Sequence, residues 1–257
     1  MAQRPPQAPP DAASVKPGSK HFVLVHGAWH GAWCWYKTAT LLQADGHRVT
    51  VLDLPAHGID PRPAATVTAA LYAQHVVAVI DAIDEPVILV GHSMGGTVVS
   101  NVAEACPQRL EKLVYLAAFL LANGQSLFDI ATGDSGSLAT PSLIVKPEEG
   151  FIDIDRAAIT AIFYGDCEPA DINLARSVLR PTPFAPFVTP LTLGANYESV
   201  RRFYIECTED HAITVATQRA MVAATPCEAV HTMHTDHSPF FSQPAKLHKI
   251  LTEIAGT

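Results

Sequence analysis

The sequence predicts an α/β fold with a mostly parallel sheet and helices on both of its faces. Short apolar runs rich in Val, Ile and Leu alternate with longer segments in which apolar residues recur every three or four positions. The short runs are typical of buried strands and the longer segments of helices. Because the two alternate regularly, parallel strands are favoured, with functional side chains at their carboxyl ends.

Six strands are predicted, and helices connect most of them. Each strand is a short apolar run bounded by glycine, proline or polar turn residues. The strands are assigned to His21–Gly27, Arg48–Gly58, Pro86–Val90, Lys112–Leu120, Arg202–Asp210 and Cys227–Met233. The helices are assigned to residues 32–47, 66–85, 94–107, 213–225 and 243–256.

Two segments fall outside this alternation. The segment from about 121 to 200 is rich in proline and has no strand that would join the sheet, although Phe, Leu and Ile are too frequent for a solvated loop. We expect it to form a cap over the strand ends, inserted in one α/β domain over 20–257. Residues 1–19, rich in proline and alanine, are expected to form a disordered or extended tail.

The composition restricts the kinds of partner. Apolar residues make up 48% of the 257 residues and charged residues 16%, with a net charge of −8. Because no basic stretch could neutralise phosphates, no nucleic-acid partner is expected. No Cys/His cluster has the spacing of zinc ligands, so no metal site is expected. No cofactor is expected either. The cysteines are expected to be small buried apolar side chains in a reducing compartment; they are Cys34, Cys106, Cys167, Cys207 and Cys227.

The sequence contains no membrane-spanning pattern. No apolar run reaches the length of about 18 residues that a spanning helix needs. The N-terminal segment also lacks the apolar core of a secretory signal. A cytoplasmic protein without a membrane partner is expected by default, and a homodimer is left open.

One short motif carries the strongest chemical signal. The stretch LVGHSMGGTVVS (89–100) places Ser93 between Gly91 and Gly95, on the turn between a predicted strand and a predicted helix. Both glycines lack the Cβ atoms that would collide in so sharp a turn, so the serine can be held in a strained conformation. This is the mechanical basis of the G-x-S-x-G nucleophile elbow. The motif also occurs by chance, so its interpretation depends on partner residues.

A base is expected after the last strand. A serine hydroxyl is a poor nucleophile unless a neighbouring base takes its proton, and in this architecture serine, acid and histidine follow one another along the chain. The stretch HTMHTDHSPFF offers three histidines. We favour His237, because it lies in the loop before the final helix; His231 and His234 are the alternatives.

The acid should follow the preceding strand. The stretch YIECTEDHAI offers Glu209 and Asp210, and Asp210 is favoured because it lies on the loop side. Asp129, after the strand predicted to end at Leu120, is a weaker alternative. Next to His237, the carboxylate would fix the imidazole tautomer and stabilise the imidazolium as it forms.

Two backbone amides are expected to form an oxyanion hole. One belongs to Met94, the residue after the nucleophile, and the other to Ala28, in the HGAWHG loop after the first strand. Nearby aromatic residues could form a substrate clamp. We expect Trp33 and Trp35 to be helix-packing residues instead, and keep Trp29 as a candidate substrate contact.

These stretches resemble a known family. HFVLVHGAWHGAWCWYK, GHSMGG, YIECTED and the DH pair before the last helix are similar to the plant methylesterase and hydroxynitrile lyase branch of the α/β-hydrolase superfamily, from His21 to near the C-terminus. HSPFFSQP is more similar to bacterial carboxylesterases of this branch, including pyrethroid hydrolases. The resemblance implies an α/β-hydrolase fold and a catalytic triad of Ser93, Asp210 and His237, with Ala28 and Met94 as oxyanion donors.

The resemblance is weakest in the cap. Only ANGQSLFD (122–129) is similar to the start of that family's cap. Within this stretch, Phe128 is a candidate substrate-binding residue beside Trp29.

Ester hydrolysis is the leading functional hypothesis. A cofactor-independent carboxylesterase would use the triad to cleave a small to medium apolar ester through an acyl-enzyme. The alternatives are a hydroxynitrile lyase and a non-catalytic small-molecule receptor on the same fold. The resembled lyases carry a lysine directly after the catalytic histidine, where this chain has Ser238, and a threonine in the first loop, where it has Gly27 and Ala28. Without the lysine, no cation would stabilise the departing cyanide anion, and without the threonine no hydroxyl would contact the substrate oxygen.

Overall fold

Nine strands and eleven α-helices make up the part of the chain that the computed structural model describes, residues 18–257. In chain order the strands are β1 (His21–Val25), β2 (Arg48–Val51), β3 (Val87–His92), β4 (Leu110–Leu116), β5 (Leu143–Lys146), β6 (Phe151–Ile154), β7 (Thr182–Pro183), β8 (Arg202–Cys207) and β9 (Ala229–Met233). The helices are α1 (Tyr36–Ala44), α2 (Ala69–Asp81), α3 (Gly95–Ala105), α4 (Leu127–Gly133), α5 (Ile159–Phe163), α6 (Pro169–Val178), α7 (Ala185–Val188), α8 (Ala195–Ser199), α9 (Val215–Ala224), α10 (Pro239–Ser242) and α11 (Pro244–Gly256). The predicted tail lies outside the described residues, apart from Gly18 and Ser19.

Six strands form the central sheet, in the order β2-β1-β3-β4-β8-β9. Every neighbouring pair in this sheet is parallel. Helices lie on both faces; α1 packs against α11, and α2 packs against α3. The predicted fold class is therefore confirmed. Because all six strands point the same way, the loops that follow them meet along one edge.

Several strands end earlier than predicted. The strand predicted over Arg48–Gly58 ends at Val51, the one over Lys112–Leu120 ends at Leu116, and the one over Arg202–Asp210 ends at Cys207. The residues beyond β4 remain apolar and buried through Leu121, but Ala117 adopts a φ of +42° and the chain leaves the sheet. An apolar run therefore predicts burial more accurately than it predicts the end of a strand.

The connection between β4 and β8 holds the segment predicted to form a cap. It contains helices α4 to α8 and a separate antiparallel sheet in the order β5-β6-β7. The sequence prediction missed this small sheet. Its strands have four, four and two residues, too few for a clear alternation of apolar and polar positions.

Candidate active site

Ser93 lies on a sharp turn between β3 and α3. Its φ is +54°, a left-handed conformation that residues with a side chain rarely adopt. A Cβ on Gly91 would lie 2.7 Å from the carbonyl oxygen of Gly95, and one on Gly95 would lie 2.8 Å from that of His26. Side chains at either glycine would force these segments apart. The turn therefore has the geometry of a nucleophile elbow, with Ser93 lining a pocket beneath the cap.

Asp210 and His237 meet at the ends of neighbouring strands. Asp210 follows β8, and His237 follows β9. Nδ1 of His237 lies 2.7 Å from Oδ2 of Asp210, and both side chains are buried. Because a carboxylate only accepts hydrogen bonds, the Nδ1 atom carries the proton, which leaves Nε2 free to act as a base.

Backbone and side-chain donors hold the Asp210 carboxylate in place. The amides of Ala212 and Ile213 donate to Oδ1 at 2.7 and 2.9 Å. The side-chain amide of Gln218, on α9, donates to Oδ2 at 3.1 Å and to the carbonyl oxygen of Ile213 at 2.8 Å. These bonds orient the carboxylate toward His237.

Sequence reasoning missed Gln218. Its side chain is fully buried, and its Oε1 atom also accepts from the amide of Cys207 at 3.1 Å. One signal in the sequence could have indicated its burial: Gln218 is a single side-chain amide on the otherwise apolar side of the helix predicted over 213–225. A buried amide in that position needs partners, and here they are the backbone of β8 and the candidate acid.

His92 connects the elbow to the His237 loop. Its Nε2 atom donates to the carbonyl oxygen of His237 at 2.9 Å, and the two rings lie 4.6 Å apart. Burial lowers the pKa of His92 well below its usual value, so this ring is neutral at pH 7. In residues 18–257 no hydrogen bond joins the hydroxyl of Ser93 to His237. Such bonds are often long without substrate and tighten when it binds.

Two free amides lie beside Ser93. Ala28 and Met94 both line the pocket. Neither backbone N–H donates to an acceptor within the described part of the chain. Buried amides without partners are rare, and both of these belong to residues that line the pocket beside Ser93.

The pocket is narrow and mostly apolar. Its empty volume is about 410 Å³, which includes the open space at its mouth. Ser93 and Thr140 supply the polar side chains, and no charged side chain lines it. The remaining lining residues are Ala28, Trp29, Met94, Phe119, Leu127, Ala131, Ala139, Leu143, Phe163, Phe187, Ala212 and Ile213.

The candidate substrate contacts fall in different places. Trp29 lines the pocket, and its ring lies 5.5 Å from that of Phe163 in the cap. Phe128 is not a lining residue; its neighbour Leu127, at the start of α4, lines the pocket instead. Successive side chains of a helix point in different directions, so Leu127 can face the pocket while the next residue, Phe128, does not.

Trp33 and Trp35 lie away from the pocket lining. Trp33 stacks on His30 at 5.3 Å, and Trp35 is fully buried, with its ring 5.3 Å from that of Phe240. Both tryptophans pack the body of the protein, as the sequence analysis expected.

The alternative acids and bases lie elsewhere. Asp129 is exposed on α4, where it forms a capping box with Ser126. Glu209 is exposed and accepts from the hydroxyl of Thr208. His234 is also exposed, and His231 lies within β9. None of the four has a hydrogen bond to Asp210 or His237 among the described residues.

The described residues contain no group of His, Cys, Asp and Glu side chains arranged to hold a metal ion. They also contain no helix long and apolar enough to cross a membrane.

The chain belongs to the alpha/beta hydrolase family, because residues 22–250 match the model of that family. This confirms the family predicted from the elbow and the loop after β1.

Its relatives include plant methylesterases. The chain is 40% identical over 252 residues to "Putative methylesterase 11, chloroplastic" of Arabidopsis thaliana, covering 92% of this chain and 64% of that protein. It therefore spans less than two thirds of that relative's length. It is 34% identical over 260 residues to methyl jasmonate esterase 1 of Vitis vinifera, covering 91% of this chain and 96% of that protein.

A solved structure shares the fold at similar length. The pyrethroid hydrolase from Sphingobium faniae superposes with a TM-score of 0.83 at 25% identity, covering 93% of this chain and 98% of the other. The resemblance to the methylesterase branch noted from the sequence is thereby confirmed.

Proposed function

We propose that this protein is a serine-dependent carboxylic ester hydrolase that acts on small to medium apolar esters. The observation that carries the proposal is the buried hydrogen bond of 2.7 Å between His237 and Asp210 at the strand edge that also presents Ser93. The esterase names of the relatives support the same reaction class.

The first half of the reaction acylates the serine. His237 Nε2 takes the proton of the Ser93 hydroxyl as Oγ bonds to the ester carbon. The carbonyl oxygen becomes an anion, which the amides of Ala28 and Met94 stabilise. His237 then gives its proton to the departing alcohol as the carbon–oxygen bond breaks, which leaves an acyl-enzyme.

Water completes the cycle. His237 removes a proton from a water molecule, whose oxygen attacks the acyl carbon. The second tetrahedral intermediate collapses, Ser93 recovers its proton and the free acid leaves. Each oxyanion donor contributes substantially, since removing one such donor costs about 10²–10³ in rate.

The pocket lining limits the class of substrate. Because no charged side chain lines it, a neutral ester with an apolar acyl or alcohol group fits best.

Cyanohydrin cleavage is less well supported. A lyase needs a cation near the departing cyanide, and the position after His237 holds Ser238, whose side chain is fully buried. Among the described residues, no charged group lines the pocket to take that role. A cyanide anion leaving into an apolar pocket would be poorly stabilised.

The test compares two reactions in two proteins. Wild type is expected to hydrolyse p-nitrophenyl and methyl esters of short to medium chain and to release negligible cyanide from mandelonitrile. Ser93→Ala should lose at least about a thousandfold in ester turnover, by analogy with triad knockouts. Undiminished turnover in Ser93→Ala would contradict the serine mechanism. Cyanide release that depends on Ser93 and matches the ester rate would favour the lyase, and no turnover of either kind would favour a receptor.

A further inference from the structure

The peptide group between Ala28 and Trp29 is held at both ends. The amide of Trp29 donates to Oγ1 of Thr182 at 2.6 Å. The carbonyl oxygen of Ala28 accepts from Nδ1 of His30 at 2.7 Å. All four residues are buried, and Trp29 has a φ of +63°. This peptide is joined through the Cα of Ala28 to the peptide that carries the free Ala28 amide, so holding it in place restricts where that amide can point.

The bond from His30 has a fixed direction. Nδ1 faces a carbonyl oxygen, which only accepts, so Nδ1 carries the proton. Nε2 lies 2.7 Å from the hydroxyl of Tyr164 and accepts a hydrogen bond from it. Burial lowers the pKa of His30 to about 3 and raises that of Tyr164 well above its usual value, so both groups are neutral at pH 7.

The bond from Trp29 to Thr182 is fixed in the same way. Nδ1 of His57 lies 3.1 Å from the carbonyl oxygen of Pro55 and 3.3 Å from the hydroxyl of Tyr72. Because the nearer carbonyl oxygen can only accept, Nδ1 carries the proton. Nε2 of His57 therefore accepts from the hydroxyl of Thr182 at 3.3 Å. With its proton committed to His57, the Thr182 oxygen presents a lone pair to the Trp29 amide.

Thr182 and Tyr164, which hold this peptide, both belong to the cap. Thr182 lies on β7 and Tyr164 directly follows α5, whereas Ala28 lies in the loop after β1. The cap makes two more contacts with Trp29. The amide of Arg180 donates to the carbonyl oxygen of Trp29 at 3.0 Å, and the indole of Trp29 donates to the carbonyl oxygen of Ile152 at 3.2 Å. The segment that encloses the pocket therefore also holds the loop that supplies an oxyanion donor.

We propose that Thr182 is a positioning residue for the oxyanion hole, with Tyr164 supporting the same peptide through His30. This inference rests on the proposed ester hydrolysis and deepens it. Thr182 does not line the pocket, and its hydroxyl bonds to Trp29 and His57 rather than to Ser93. Its loss should therefore reduce stabilisation of the transition state and leave ground-state binding almost unchanged.

The test removes one hydroxyl with little change of shape. Thr182→Val is expected to lower kcat for a p-nitrophenyl ester by about tenfold or more, with KM within about twofold of wild type. Thr182→Ser, which keeps the hydroxyl, should restore most of the rate. The matched control is Thr160→Val, because Thr160 lies on α5 and accepts a hydrogen bond from Arg176, away from the Ala28–Trp29 peptide. This control should behave as wild type.

A trifluoromethyl ketone separates positioning from general damage to the fold. Ser93 Oγ bonds to its carbonyl carbon, the serine proton passes to His237, and the ketone oxygen becomes the anion in the hole. Thr182→Val should weaken inhibition by this ketone by the same factor as it lowers kcat/KM. An unchanged inhibition constant, a rise in KM alone, or an effect equal to that of Thr160→Val would overturn the inference.

A second variant covers the case in which Thr182→Val does not fold. Tyr164→Phe removes the donor to His30, and it should also lower kcat and ketone affinity together, by a smaller factor. If Tyr164→Phe is folded and matches wild type in both, the inference is wrong. Failure of the proposed function is distinguishable, because wild type would then show no turnover that depends on Ser93.

Discussion

Asp210 is held by more donors than a surface carboxylate would be. It accepts from two backbone amides, from Gln218 and from His237. These donors fix the orientation of the carboxylate next to His237. It can therefore stabilise the imidazolium of His237 without taking its proton.

The choice between the two candidate acids can be tested by matched amide substitutions. Asp210→Asn is expected to lower kcat by roughly 10³–10⁴, because the amide would donate to Nδ1 and stabilise the wrong tautomer. Asp129→Asn makes the same chemical change in an exposed capping box and should leave kcat within about twofold, since only a helix cap is weakened. Equal losses in the two variants would contradict the assignment of Asp210.

At the scale of elements, the sequence predicts the sheet and the elbow well. The apolar runs locate all six strands of the central sheet. The four inner strands β1, β3, β4 and β8 are buried along nearly their whole length, and such strands are nearly continuous apolar sequence. Gly91 and Gly95 predict the turn at Ser93 for a steric reason: a Cβ at either position would lie only 2.7 or 2.8 Å from a backbone oxygen.

The cap is the part that local sequence does not determine. Its short strands pair through contacts between residues far apart in the chain, such as Ile152 with Thr182. The support for the oxyanion loop is non-local in the same sense, since Thr182 lies 153 positions from Trp29. The role of Gln218 was not predicted for a related reason, because it depends on Asp210, which lies outside the helix that carries Gln218. Local periodicity contains no information on such pairs.

At the scale of the whole molecule, buried neutral histidines surround the site. His26, His30, His57 and His92 are all fully or almost fully buried. Burial lowers the pKa of His26 to about 4 and that of His30 to about 3, and it lowers the pKa of the other two well below the usual value. Protons therefore bind the unfolded chain more readily than the folded protein.

Stability is expected to fall on mild acidification. The unfolded histidines titrate near pH 6.5, so their contribution is complete above that pH and is lost as the pH falls toward the folded values. Between pH 7 and pH 5, His26 and His30 together should lower the free energy of unfolding by about 4 kcal/mol. Urea unfolding at the two pH values measures this, and an unchanged free energy would contradict the neutral buried state of these rings.

The central claim is that Ser93 is the nucleophile of an ester hydrolase. The direct measurement is reaction with a fluorophosphonate followed by mass mapping of the peptides, with Ser93→Ala as the control. We expect one adduct, on Ser93, formed in step with the loss of ester hydrolysis, and no adduct in the control. An adduct on another residue, or full inhibition of the Ser93→Ala protein's remaining activity, would contradict it.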